Sequence, residues 1–431
     1  MARQRASIAR MGVLHDAFAA TVPALRARRA EVLKQQGDRV ISQVSAAQAF
    51  GGMRDVRALV CDTSVVDPDR GLIIRSIPVL QLLDRTPEEV FFLLLIGRLP
   101  LADESSAIRA TLAGQPRVPE AVWHAVEAMP RDAHPMAMLS GALLAMEHES
   151  AFARAFEEGV ARDDYWRASL DDALRLLGSL PTLAGGVYHI RYGRGPRLAH
   201  DPAFDWAENY GHMLGVHDPL FAAAFRRAAV LQSDHEGGNV CAFTCHVVGS
   251  VLSNPYLAVS AGFNGLAGPL HGRSAQESTQ WVLAAIERYG GVPAKEQIEE
   301  YTWETLKAGR VVPGHGHAVL RGEDPRFTAM LEFGRAHFVR DDVFETVSRM
   351  AGVVPEVLKK HGKAKNPHPN VDFGMGALWH HFGVTELAYY TVPFAISLAM
   401  GMLAQLVINR ALGSPIVRPR SVTTEWIRSL P

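Results

Sequence analysis

Between Glu386 and Arg410 the chain runs LAYYTVPFAISLAMGMLAQLVIN, 23 residues without a charge. Such a stretch belongs either in a bilayer, which about 20 apolar residues span, or in a core large enough to surround a helix on every side. Polar Thr391, Ser397 and Gln405 interrupt it, Pro393 sits near its start, and VFFLLLIG at 90–97 is far too short to be a second span. The simpler reading is the central helix of a large core, with no membrane partner. The chain is long enough for one: 431 residues exceed the size at which a single core stops growing, so two or three domains are expected.

Lysine and arginine number 44 against 45 aspartate and glutamate, a formal charge of -1, and no polybasic block occurs. Nucleic acid and anionic membranes therefore find no electrostatic footprint, and small-molecule work is expected. Three cysteines, Cys61, Cys241 and Cys245, are too few for a disulfide framework and fit a reducing compartment. Cys241 and Cys245 share one helix face, with His246 following, and read as small apolar core residues rather than metal ligands. The amino-terminal MARQRASIARMGVLHDAF is basic, with no acidic residue before Asp16 and no apolar secretory region. An ordinary first helix is the preferred reading, and the expected home is a bacterial cytoplasm or, with a transit peptide, the mitochondrial matrix.

Helical periodicity dominates, and alternating strand patterns are scarce. LFAAAFRRAAVL (220–231) places Leu220, Ala224, Ala228 and Leu231 on one side, and STQWVLAAIERYG (278–290) groups Trp281, Ala285 and Tyr289. The proline-punctuated HGKAKNPHPNVD (361–372) reads as a connecting loop. A mostly α protein follows, with its chemistry on helix ends and loops.

Three segments carry candidate chemistry. In GPLHGRSAQE (268–277), Ser274 and Glu277 have capping-box spacing, which puts His271 just ahead of a helix amino terminus. The positive helix end disfavours another positive charge, so an imidazole there stays neutral and donates hydrogen bonds, which suits a developing enolate oxygen. A histidine satisfied by local backbone is the plainer alternative. In VVPGHGHAVLRGEDPR (311–326), Gly314 and Gly316 let the chain fold tightly about His315 and His317, with Arg321 and Arg326 close behind. H-x-H spacing without clustered cysteine or carboxylate ligands makes metal a weak reading. Organic anions suit glycine-loop N–H groups and guanidinium forks better. In NPHPNVDFGMG (366–376), Asp372 lies where a loop enters a short helix, and alone it reads as an N-cap.

Taken with GGMRDVRALVCDTSVVDPDRG (51–71), SDHEGGNV (233–240), NPYLAVSAGFNGLAGPLHG (254–272), TELAYYTVPF (385–394) and RALGSPIVRPRS (410–421), these segments resemble the citrate synthase family. The likeness is to the form found in animal mitochondria, and it runs in order over nearly the whole chain. It implies an all-α, two-domain fold in a homodimer. Residues 1–273 and 383–431 would form the large helical domain, and 274–382 a smaller inserted domain that closes over substrates. The activity implied is that of an acyltransferase of the tricarboxylic acid cycle, which condenses acetyl-CoA with oxaloacetate and hydrolyses the citryl-CoA formed. No cofactor or metal is implied, since acetyl-CoA is itself a substrate. Carried over by position, Asp372 is the base that takes the methyl proton, His271 hydrogen-bonds the thioester oxygen, and His317 polarises and protonates the ketone. His235 and Arg326 match positions that bind oxaloacetate, and Arg418 matches one that reaches into the neighbouring subunit's site. Arg54, Arg162 and Arg321 match positions associated with coenzyme A.

The family pattern breaks at Leu398, where an arginine that pairs with the distal oxaloacetate carboxylate is expected. A lost charge-assisted pair costs about 1.5 to 3 kcal/mol. His315 stands in place of a tyrosine, and Phe373, Gly374 and Met375 in place of small and polar residues. Arg273 stands in place of an apolar residue two positions from His271, which makes it a candidate replacement for the missing carboxylate partner; a solvated arginine at a helix end is the plainer reading. Leu398 also raises two alternatives to citrate synthesis. One is a related condensing enzyme that makes 2-methylcitrate or uses another 2-oxo acid, and the other is a non-catalytic protein that binds coenzyme A.

Overall fold

The charge-free stretch folds as the helix Thr391–Leu412 in the computed structural model, which describes residues 2–114, 118–317 and 319–431, with side chains from Gly12 onward. Among the described residues it is the one helix long and apolar enough to cross a membrane, and 83% of its apolar window is buried inside the protein. Its surroundings are other helices: Pro87–Ile96, Tyr165–Tyr192, Pro219–Leu231, Val240–Ser250 and Pro255–Leu266 all pack against it. The three polar residues that interrupt it are each satisfied, as burial demands. Thr391 donates to the Gly272 carbonyl at 2.8 Å, Ser397 to Pro393 at 2.7 Å, and Gln405 to the Asp234 carboxylate at 2.9 Å. The helix ends where Gly413 takes a left-handed conformation, φ 59°.

Helices make up most of the described chain, in accord with the all-α expectation. The first, Ala2–Gln36, buries Leu14, Phe18 and Val22 in the main core. The two helices read from periodicity appear as Pro219–Leu231 and Ser274–Tyr289. Cys241 and Cys245 are buried free thiols on Val240–Ser250. A second group of helices, Ser274–Tyr289, Lys295–Lys307, Pro325–His337, Asp342–His361 and Val371–His381, packs largely against itself.

One element escaped the sequence reading. Residues Ser64–Asp67, Gly71–Ile74 and Ile77–Pro78 form a three-stranded antiparallel sheet. Its first turn is made by Asp67, whose Oδ1 accepts from the N–H groups of Asp69 and Arg70 at 2.9 and 2.8 Å. The strands are too short for alternation to register, yet the hairpin matters: the Arg321 N–H donates to Pro68 at 3.1 Å, which ties it to a loop described next.

Candidate active site

Two loops, 311–324 and 362–370, are zipped together by their backbones. The Asn370 N–H donates to Gly314 and the Gly316 N–H to His368, both at 2.9 Å, while His315 and Pro369 form an antiparallel bridge. Gly314 has φ +70°, and a Cβ there would meet Phe373 and Ser278 at 2.7 Å, so glycine is required for the close approach. The side-chain amides complete the seam, Asn366 donating to the Leu320 and Gly322 carbonyls and Asn370 to Gly316. His317 and Asp372 are thereby held by one loop pair.

His317 Nδ1 accepts from the N–H groups of Val319 and Leu320, both at 3.0 Å. A nitrogen that accepts backbone donors carries no proton, so the neutral ring has its hydrogen on Nε2. Burial, and after it the Arg326 charge, pushes the pKa down to about 4. The His235 ring lies 5.8 Å from that of His317 between centroids. Burial, then Arg326 and His317, brings His235 to about 3. Two neutral imidazoles therefore sit side by side at physiological pH.

Arg326 supplies the positive charge. It is 5% exposed, and its Nε and Nη2 donate to Asp324 at 3.0 and 2.8 Å. Asp324 also caps the helix Pro325–His337 and accepts the Val371 N–H at 3.1 Å. One carboxylate thus joins the helix that bears Arg326 to the helix that bears Asp372.

Asp372 is not the N-cap its sequence suggested. Asn370 holds that position in Val371–His381, accepting the Asp372 N–H at 3.1 Å, and Asp372 is the second helical residue. Its carboxyl is raised to about 6, first by burial; Arg326 and the Ser274 hydroxyl pull the other way, and Asp324 adds to the rise. That Ser274 bond overturns another expectation. The Ser274–Glu277 capping box does not form, because Arg273 occupies the cap position with helical backbone angles and no side-chain bond, and Ser274 turns its hydroxyl to Asp372 instead.

His271 lies on the other side of Gly272, where a Cβ would meet the Leu266 carbonyl oxygen at 2.3 Å and Thr391 Cγ2 at 2.6 Å. His271 Nε2 is 2.8 Å from Asn239 Oδ1. That oxygen also caps Val240–Ser250, accepting from the Cys241 N–H at 3.3 Å and the Cys241 thiol at 2.8 Å. A carbonyl oxygen only accepts, so His271 carries its proton on Nε2 here, and Nδ1 is bare when the ring is neutral. Burial lowers its pKa and so favours the neutral ring.

The remaining sequence candidates lie elsewhere. Arg273 acts electrostatically on His134, and none of His235, His271, His317 or Asp372 has its pKa moved by it. Leu398 is fully buried in Thr391–Leu412. Arg162 donates to the Gly413 carbonyl at 3.1 Å, while Arg54 and Arg418 are exposed. The departures at 315 and 373 prove to be neighbours, with ring centroids 4.7 Å apart and Phe327 6.1 Å from Phe373. Sequence reasoning missed Asp324, Asn239 and Asn370. The Asp324–Pro325 pair had a legible signal, a capping residue followed by proline at the first helical position.

A family profile described as "Citrate synthase, C-terminal domain" matches residues 52–420. The mitochondrial citrate synthase of Saccharomyces cerevisiae is 44% identical over 427 residues, which is 97% of this chain and 89% of that protein. The mitochondrial citrate synthase of Xiphias gladius is 42% identical over 428 residues, 97% of this chain and 91% of that one. Among solved structures, citrate synthase from Pyrobaculum aerophilum superposes with a TM-score of 0.78 at 25% identity, covering 90% of this chain and 95% of that one. This chain belongs to the citrate synthase family.

Proposed function

We propose that the chain condenses acetyl-CoA with oxaloacetate and hydrolyses the citryl-CoA formed, with Asp372, His271 and His317 as its catalytic residues. The observation that carries the assignment of roles is the set of protonation states around one cation: the Arg326 charge acts on a carboxyl held near 6 and on the neutral imidazoles of His317 and His235 alike.

A thioester α-proton has a pKa of roughly 20, so transfer to an ordinary aspartate near 4 is uphill by ~22 kcal/mol at 1.36 kcal/mol per unit. Raising Asp372 to about 6 removes ~3 kcal/mol of that. The balance falls to oxyanion stabilisation in a dry, preorganised site. His317 is set for its part, since its Nε2–H is a neutral donor for the ketone oxygen and the proton moves to the alkoxide as the C–C bond forms. His271 needs one adjustment. Donation from Nδ1 to the thioester oxygen requires the Asn239 amide to turn, so that Nδ2 donates to Nε2 and the proton resides on Nδ1.

Arg326 and His235 bind the 2-oxo acid. With Leu398 uncharged, the distal carboxylate falls to Arg326 and to Arg418 reaching across from a second subunit. Arg54, Arg162 and Arg321 serve the phosphates of coenzyme A. Closure of 274–382 over the rest of the chain excludes water, which would otherwise screen the donors and hydrolyse the thioester unproductively. A homodimer is supported by exposed Val240 and Phe243 on Val240–Ser250 and by Val251 just beyond it, which together form an apolar edge. The compartment is a cytoplasm or a mitochondrial matrix. No observation favours 2-methylcitrate synthesis, another 2-oxo acid or a non-catalytic role.

The test is coenzyme A release from acetyl-CoA and propionyl-CoA with oxaloacetate, pyruvate and 2-oxoglutarate. Turnover is expected with acetyl-CoA and oxaloacetate. Turnover with a different acid alone, or none at all from folded protein, overturns the proposal.

A further inference from the structure

Arg410 is a buried cation outside the proposed mechanism. It is 6% exposed, its Nη2 donates to the Ser253 carbonyl at 2.6 Å, and its guanidinium lies over the Phe152 ring at 4.7 Å. Its Nε–H has no acceptor among the described residues, and no carboxylate is among the groups whose charge acts on it. Burying a charge without a counter-charge is strongly unfavourable, and burial accordingly lowers the Arg410 pKa to about 10, which still leaves it positive at neutral pH.

Beside Arg410, between Val240–Ser250 and Thr391–Leu412, is a cavity of about 20 Å³ that Arg410 helps to line. That is room for a guest at least as large as a water molecule. A second donor borders it. Asn409 Oδ1 accepts from the Ser414 hydroxyl at 3.1 Å, which orients the amide so that its Nδ2 donates to His246 Nδ1 at 3.0 Å. The His246 proton then sits on Nε2. No acidic side chain lines the cavity, and burial pushes the Cys245 thiol up to about 12, so it brings no competing negative charge.

We propose that this cavity is a binding site for one small monovalent anion of halide size, held by the Arg410 guanidinium and the His246 Nε2–H. The anion would be the missing counter-charge, locking the end of Thr391–Leu412 to Val240–Ser250. Because it binds the folded protein, it raises stability by mass action.

Crystals of the full-length protein soaked in sodium bromide should show an anomalous peak in the cavity within hydrogen-bonding range of Arg410. Thermal unfolding at constant ionic strength should occur several degrees higher in sodium chloride than in sodium gluconate, whose anion is too large to enter. Arg410→Gln should abolish both the peak and the salt difference. If that variant does not fold, His246→Phe, which keeps the cation but removes the second donor, should at least halve the difference. Equal melting of the unmodified protein in both salts, with or without a peak, overturns the proposal. So does a crystal structure in which a carboxylate of a second subunit is seated on Arg410.

Discussion

Replacing Asp372 with asparagine should stabilise the protein while destroying its activity, with a pH signature that isolates the cause. The folded-state pKa is raised from the ordinary 3.8 to about 6, roughly two units. Above pH 6 the folded protein holds an ionised carboxylate in surroundings that disfavour it, whereas the unfolded chain holds the same group at no cost. At 1.36 kcal/mol per unit the penalty is at most about 3 kcal/mol, and cleft water reduces it. It shrinks as pH falls through 6 and vanishes below about 4, where both states are protonated. Asp372→Asn is a near isostere without the charge, so its urea midpoint should exceed that of the parent at pH 8 and match it at pH 4, at fixed protein concentration. Coenzyme A release should fall at least a hundredfold at every pH. In the parent, kcat/KM should drop about tenfold per pH unit below 6, as the base becomes protonated. If the variant is no more stable at pH 8, relative to the parent, than at pH 4, the carboxylate is not held against its preference and the account of the base fails.

Other outcomes follow from the same contacts. Histidine ¹⁵N spectra should show His317 neutral, with its proton on Nε2, down to about pH 5, since its pKa is brought to about 4; a transition near 6.5 would mean that burial and the Arg326 charge do not depress it, and a proton on Nδ1 would mean that the Val319 and Leu320 donors do not engage it. Asp324→Asn leaves Arg326 buried without its partner, which should cost about 3 to 5 kcal/mol of stability and raise the oxaloacetate KM more than tenfold; an unchanged KM would separate Asp324 from substrate binding. Asn239→Asp offers His271 Nε2 an acceptor that cannot turn into a donor, so kcat should fall about a hundredfold with the circular dichroism spectrum unchanged; parental kcat would show that no amide rotation is needed. Phe243→Asp should turn a dimer into monomers by sedimentation and abolish turnover, and active monomers would contradict a site shared between subunits.

Much of the site was legible because its chemistry is carried by residues with few other uses. His317 in its glycine-rich loop, the proline-bounded loop before Asp372 and the turn holding His271 were each marked by their neighbours in sequence. What stayed hidden was long-range. Nothing near Asp324 announces that it will accept the Val371 N–H 47 residues away, and Asn239 looks like a helix cap, which it is, before it is a partner for His271. The capping box at Ser274 failed for a related reason: a carboxyl from Val371–His381 claimed the hydroxyl that local spacing assigned to the backbone. The small sheet was missed because its strands are only two to four residues long. The long apolar helix, by contrast, was read correctly: its lack of charge excluded a surface helix, and the interrupting Thr391, Ser397 and Gln405, with no second span in the sequence, favoured a core over a bilayer.

That helix does more than fill the interior. Thr391, at one end, grips the carbonyl of Gly272 beside His271, and Gln405, fourteen residues on, grips Asp234 beside His235. At 1.5 Å per residue these grips are about 21 Å apart along the axis. The helix acts as a ruler between the two halves of the candidate site, and its graduations are buried hydrogen bonds. A substitution that bends it by a fraction of a turn touches no substrate, yet it changes the reach between the atoms that must meet. Selection for catalysis in this protein therefore extends into its most apolar interior, and variants there should be screened for turnover as carefully as for stability.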